Sequence, residues 1–303
     1  MKDLSKKQKS VIALGTFDGV HLGHQKIIQA LLNEAKKIDA TPIIVTFFPH
    51  PTHVLTPDRP LKMINSINER VALLKDKGIE TVVVKEFTKE FSKTTALELI
   101  QKDLLIEHQM QTLLVGYDHS FGKNKEGDYE TLTNYGERLH FSVKQVSAFE
   151  KDKLAISSTL IRNLLLEGNI IKANQYLDYT FCLYGKVVKG NQLGRRIGFN
   201  TANIDLDYPN KIVPKLGVYV VQSTIDAKDY FGMMNIGYRP TINGTTRTIE
   251  VHYFNFDANL YDKEIRVKLL HRIRDEFKFD SIDELKKQLK KDRLYSLAYL
   301  KTL

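Results

Sequence analysis

Val11-Ile12-Ala13-Leu14-Gly15-Thr16-Phe17-Asp18-Gly19-Val20-His21-Leu22-Gly23-His24 runs from an apolar strand through a glycine turn to two histidines at the head of a helix. Val11 to Leu14 is a short continuous apolar run, the kind buried on both faces of a parallel sheet. Gln25 to Lys37 then carries Ile27, Ile28, Leu31, Leu32 and Ala35 at helical spacing. Gly15 and Gly19 let the backbone turn sharply, and Gly23 permits close approach. A helix N-terminus presents unpaired N–H groups and a partial positive charge, so this corner suits a phosphate. His21 and His24, three apart, point from the first turn towards one spot, where imidazoles can donate to phosphate oxygens as charge builds up.

Two other readings of the corner fail. A histidine pair can bind a metal, but metal sites want three or four ligands, and no cysteine or third histidine lies nearby. A Walker loop fails on spacing. Gly116 to Gly122-Lys123 has five intervening residues rather than four, and Asn124 stands where Ser or Thr should. What remains is the H-x-G-H pattern, which resembles the signature of nucleotidylyl transferases. In that family the two histidines hold the phosphates of ATP while another molecule's phosphate attacks the α-phosphorus.

Outward from the corner, Pro42-Ile43-Ile44-Val45-Thr46-Phe47-Phe48 reads as a second buried strand stopped by Pro49-His50-Pro51. A helix over 67–77, a strand at Thr81-Val82-Val83-Val84, a capping box at Thr95-Ala96-Leu97-Glu98 and a strand at Leu113-Leu114-Val115-Gly116 follow. This alternation predicts a doubly wound parallel sheet with ligands at the carboxyl ends of its strands. Ile156-Ser157-Ser158-Thr159-Leu160-Ile161-Arg162 predicts a second anion-binding helix end: hydroxyl donors, N–H groups and a guanidinium fork one turn inside.

The order F-D-G-V-H-x-G-H, T-F-F-P-H-P, V-G-Y-D-x-x-F-G and I-S-S-T-x-I-R resembles the FMN adenylyltransferase module of the prokaryotic bifunctional riboflavin kinase/FAD synthetase family. The resemblance implies an ATP site at Gly15, Phe17, Asp18, His21, Gly23, His24, Ser158, Thr159 and Arg162, with His21 and His24 catalytic. It implies a flavin site at Phe47, Pro49 and Asp118. Two departures stand out. His119 replaces an aromatic residue of the family's V-G-x-D/N-F-x-F-G, with Tyr117 two positions before it. Arg70 stands where a lysine is usual, near the expected flavin or nucleotide surroundings.

Beyond a boundary expected at 180/181 the pattern turns β-rich. Leu183 to Val188, Gly217 to Gln222, Phe231 to Ile236, Thr248 to Phe254 and Glu264 to Leu269 are short strand-like runs, which suggests a small closed barrel. A final helix with Ile282, Leu285, Leu289 and Leu294 on one face ends the chain. Gly190, Gly194 and Gly198 make a loop able to wrap phosphates, with Arg195 and Arg196 supplying charge. Thr201 and Asn203, two apart on an extended segment, project to one side as hard oxygen donors for Mg²⁺. The stretch resembles the riboflavin kinase motif G-R-x-x-G-F-P-T-A-N, with Asn200 in the proline's place. Asn235 to Thr241 and Ile249-Glu250-Val251-His252 match the other kinase landmarks. With Ile249 and Val251 in the core, Glu250 faces the other side, and His252 is expected out of register with it. By resemblance, Glu250 is the general base for riboflavin's terminal hydroxyl.

The expected fold is thus an N-terminal doubly wound α/β domain (1–180) and a small β-barrel with a C-terminal helix (181–303). The expected activity is two-step, riboflavin to FMN and FMN to FAD, with ATP and Mg²⁺. A single-activity enzyme on the same scaffold is the alternative, and a flavin-sensing RNA-binding regulator a further one. Lys+Arg outnumber Asp+Glu by 24 to 22 over 1–180 and by 21 to 14 over 181–303. The basic residues are scattered, so nucleic acid is not an expected partner, and the surplus suits phosphorylated small molecules. No apolar run approaches a membrane span, no signal segment opens the chain, and Cys182 is the single cysteine, so a cytoplasmic location is expected.

Overall fold

In the first half the elements run β1 (Ser10–Leu14), α1 (Leu22–Lys37), β2 (Thr41–Phe48), α2 (Pro51–Leu55), α3 (Ile67–Asp76), β3 (Thr81–Glu86), α4 (Ala96–Leu99), β4 (Met110–Gly116), α5 (Tyr129–Leu139) and β5 (Ser142–Val146). The computed structural model describes residues 8–117, 120–190, 194, 198–241 and 244–303, and of 239–241 and 244–245 the backbone alone. All five strands pair in parallel in the order β3-β2-β1-β4-β5. The order reverses at β1, so the crevice at its carboxyl end is the topological switch point.

The apolar runs are buried on both faces, as expected. Ile12, Leu14, Ile43, Val45, Leu113 and Val115 pack on one side with Leu99, Ile100 and Leu104. Val11, Ala13, Ile44 and Leu114 pack on the other with Ile28, Leu31 and Ala35 of α1 and Leu74 of α3. The capping boxes at Ser66 and Thr95 are both formed, and α4 continues in wider π winding over Ile100–Glu107. A two-stranded hairpin, β6 (Glu150–Lys151) and β7 (Leu154–Ala155), follows the sheet.

The second half comprises α6 (Ser158–Glu167), α7 (Ile170–Leu177), β8 (Cys182–Val188), β9 (Ala202–Leu206), β10 (Gly217–Ile225), β11 (Lys228–Thr241), β12 (Gly244–Tyr253), β13 (Glu264–Arg274) and α8 (Ile282–Leu300). The strands close into an antiparallel barrel in the order β10-β11-β12-β9-β8-β13. Packing divides the chain into units 1–158 and 159–303. The expected boundary was later, at 180/181. The difference arises because α6 and α7 bond to the barrel unit: Lys215 N–H donates to Leu165 O (3.1 Å), and Asn174 Nδ2 donates to Leu269 O (2.9 Å).

The face of α8 also differs from expectation. Leu285, Leu289, Leu297 and Leu300 pack over Val218, Phe231, Met233, Phe254 and Ile273, whereas Ile282 and Leu294 are exposed. The buried seam includes Asp292, whose carboxylate accepts from Arg274 Nε (3.0 Å) and Nη2 (2.7 Å). That pair fixes the helix against β13. Among the described residues no helix is long and apolar enough to cross a membrane.

Candidate functional site

In the first unit the glycine corner is held from beneath. Gly15 N–H donates to Val45 O (3.0 Å), and Thr46 Oγ1 donates to Thr16 O (3.1 Å), so the ends of β1 and β2 move as one. Phe17, Val20 and Gly19 all have positive φ, the signature of a tight non-repetitive turn. His21 is the N-cap of α1, and its Nδ1 accepts from His24 N–H (3.4 Å). An accepting Nδ1 on a neutral ring leaves Nε2 as the N–H donor, and Nε2 lies 3.4 Å from Ser158 Oγ. The two imidazoles stack at 3.7 Å between centroids. Gly23 has no room for a side chain: a Cβ there would stand 2.8 Å from Ile156 O. Ser158 Oγ donates to Asp18 O (2.8 Å), which joins the start of α6 to the corner.

Asp18 has a different place from the one its motif implied. It is fully buried, and its carboxylate accepts from Ile64 N–H (3.1 and 3.0 Å) and Asn65 N–H (3.1 Å), with Arg70 Nη2 at 4.0 Å. Gly19 N–H in turn donates to Asn65 Oδ1 (2.9 Å). Asp18 therefore braces the turn from inside. Arg70 is 2% exposed and lies beneath the turn. Removing one partner of a buried pair costs about 3–5 kcal/mol, because it strands the other charge.

Of the expected flavin residues, Phe47 and Pro49 are described. Phe47 points into the core against Phe87 (5.9 Å) and Phe91 (5.7 Å), while the next residue, Phe48, is exposed and joined to Pro49 by a cis peptide. Asp118, His119, Arg195 and Arg196 lie outside the described residues. Thr159 is exposed in the first turn of α6, and Arg162 is buried one turn on.

In the second unit, Glu250 pairs across β12 with Asn203 of β9 on one side and Asn235 of β11 on the other. Directly paired residues share a face, so the three form one row. Thr201 Oγ1 donates to Glu250 Oε2 (3.3 Å). A Cβ on Gly190 would fall 2.2 Å from Asn203 Nδ2, so the glycine gives that side chain its space. Gly194 and Phe199 are tied by Phe199 N–H to Gly194 O (2.8 Å), and Gly198 takes φ +82°, the left-handed conformation that favours glycine.

His252 is not out of register. Residues two apart on a strand share a face, and His252 stands beside Glu250, its Nδ1 2.8 Å from Asn200 O. Its signal was the period of two. Two hollows flank this segment. One of about 370 Å³ is lined by Asn200, Thr201, Tyr253, Asp257, Asn259 and Tyr261. The other, about 770 Å³, lies between Phe199, His252 and Phe254 and the basic face of α8 formed by Lys286, Lys290 and Arg293.

Burial pushes the His252 imidazole below its ordinary value, with Arg293 adding to the effect and the Asn200 carbonyl opposing it; burial does the same to His271. A lowered pKa means that the unfolded chain takes up protons first as pH falls, so stability present at neutral pH is lost below about 6.5. The thermal midpoint of the barrel unit is expected to fall between pH 7.5 and 5.5. A His252→Gln, His271→Gln double variant is expected to flatten that slope, read by tyrosine fluorescence against temperature.

Comparison with known proteins agrees with both halves. Residues 3–160 match the family model described as FAD synthetase, and residues 177–300 match riboflavin kinase. The bifunctional riboflavin kinase/FMN adenylyltransferase of Escherichia coli K12 is 35% identical over 94% of this chain and 90% of that protein. The Bacillus subtilis protein of the same description is 35% identical over 97% and 94%. A solved Streptococcus pneumoniae structure described as a macrolide-efflux protein is 35% identical, with a TM-score of 0.88, covering 97% of this chain and 96% of that one. With both family models matched in order and relatives 35% identical over nearly the whole chain, this chain belongs to the bifunctional riboflavin kinase/FMN adenylyltransferase family.

Proposed function

We propose that the row Asn203–Glu250–Asn235 with Thr201 carries the phosphorylation of riboflavin, and that the His21–His24 corner with Ser158 carries the adenylylation of FMN. The observation that supports this division is that each unit holds its own self-contained set of phosphate-handling groups: a stacked imidazole pair at a helix head in one, and a carboxylate–hydroxyl–amide row in the other.

In the kinase step Glu250 accepts the proton of the terminal ribityl hydroxyl. The freed oxygen attacks the γ-phosphorus of ATP, the bond from that phosphorus to its bridging oxygen breaks, and ADP leaves. Thr201 Oγ1 and Asn203 Oδ1 fit Mg²⁺, which prefers oxygen ligands and keeps most of its shell for water and phosphate. Bound there, the ion neutralises charge on the transferring phosphates. The smaller hollow, beside Thr201, is assigned to the nucleotide. The larger, with aromatic walls and three cations, is assigned to the flavin ring and its electron-rich carbonyls.

In the adenylyl step an FMN phosphate oxygen, already anionic, attacks the α-phosphorus of ATP. The bond from the α-phosphorus to the bridging oxygen breaks and pyrophosphate departs. His21 Nε2–H and His24 meet the charge that develops on it, so the work is positioning and electrostatics with no covalent enzyme intermediate.

The test is chromatographic. Pure protein with ATP and Mg²⁺ receives riboflavin in one tube and FMN in another, and the flavins are separated. FAD from both tubes is the expected result. FMN alone from the first, with the second unchanged, would show that adenylyl transfer is silent in this chain.

A further inference from the structure

The strongest unassigned feature is the buried guanidinium of Arg70 on α3. It is 2% exposed and lies among three segments that meet under the adenylyl site. Its Nη1 donates to Thr46 Oγ1 and to Phe47 O, both at 3.4 Å, at the carboxyl end of β2. Its Nη2 stands 4.0 Å from the Asp18 carboxylate inside the glycine corner. The corner and the strand end are bridged again by Thr46 Oγ1 to Thr16 O. Asp18 in turn fixes Ile64 and Asn65, and Asn65 fixes Gly19. Val20 N–H closes the turn on Phe17 O (3.1 Å), and this network ties it to β2 and to the start of α3.

We propose that Arg70 is a positioning residue for adenylyl transfer: it ties the corner that carries the ATP phosphates to the strand end that leads into Phe48-Pro49-His50, and so sets the approach of the FMN phosphate to the α-phosphorus. The proposal rests on the site reading given above. Its chemistry is that of a rigid spacer. The guanidinium is planar, permanently charged and able to meet a carboxylate on one edge and carbonyl and hydroxyl oxygens on another. A lysine ammonium keeps the charge for Asp18 but is a single point, so it holds the two segments less firmly. Misplacing two reactants by about 1 Å costs on the order of 10²-fold in rate without a like change in binding.

The experiment uses the full-length chain as Arg70→Met, Arg70→Lys and Thr46→Val. Each is assayed for FMN adenylylation, for FMN affinity by flavin fluorescence and for ATP affinity by calorimetry. Riboflavin phosphorylation in the same preparations checks that the chain is intact. Arg70→Met is expected to lose about 30-fold or more in kcat, with both dissociation constants within about threefold. Arg70→Lys should recover to within about fivefold of the native rate, and Thr46→Val should fall between them. A kcat within twofold of native in Arg70→Met overturns the proposal, as does a loss matched by the fraction of protein that no longer binds FMN. If Arg70→Met fails to fold, native kcat in both Arg70→Lys and Thr46→Val overturns it. His21→Ala run alongside separates the two claims, since full activity there would remove the site reading rather than the role of Arg70.

Discussion

Glu250→Gln is expected to lower FMN formation from riboflavin by about 10²–10⁴-fold while leaving the conversion of FMN to FAD within twofold. The substitution suits the question because it changes little else. The amide oxygen of glutamine still accepts the hydroxyl of Thr201, which stands 3.3 Å from the carboxylate, and the side chain keeps its place between Asn203 and Asn235. Only the capacity to accept a proton is lost. Both rates are measured on one preparation at saturating ATP and Mg²⁺, with flavins separated by chromatography. A loss below tenfold would mean that the ribityl proton leaves by another route. Parallel loss of both activities would mean that the units are not independent.

The row around Glu250 also shows how much of the site could be read from sequence. Thr201, Asn203 and Glu250 were recognisable as oxygen donors in motifs, but their meeting depends on the pairing of β9 with β12, which no local pattern specifies. β9 itself was not foreseen, because its five residues Ala-Asn-Ile-Asp-Leu are too short and polar to stand out. β5 and α5 escaped for a related reason. β5 is an edge strand with three of its five residues exposed, so it has no apolar run to betray it. β1, β2 and β4 were plain because burial on both faces leaves an unbroken apolar signature. In the glycine corner a different signal was hidden: Asp18 and Arg70 are both buried and brace the turn, which the motif does not disclose. Composition cannot tell a charge that meets a substrate from one that meets another charge. Asp292 in the α8 seam repeats the lesson, since its burial depends on Arg274, 18 residues away.

Replacing His21 or His24 tests the other active site, and the two histidines should differ in an informative way. His24→Ala removes one donor and is expected to cost about 10²–10³-fold in FAD formation, the usual loss when one preorganised donor is removed. His21→Ala should cost at least as much and should also destabilise the first unit by about 1 kcal/mol, because His21 caps α1 through Nδ1. His21→Asn separates the two effects. Asparagine is a good N-cap, so the thermal midpoint should return to near native, while a short amide cannot present a donor where Nε2 lies and FAD formation should stay low. In all three variants riboflavin phosphorylation should be unchanged, since the row proposed to carry it lies wholly in the other unit. Recovery of FAD formation along with stability in His21→Asn would reduce His21 to a helix cap and leave His24 to meet the departing pyrophosphate.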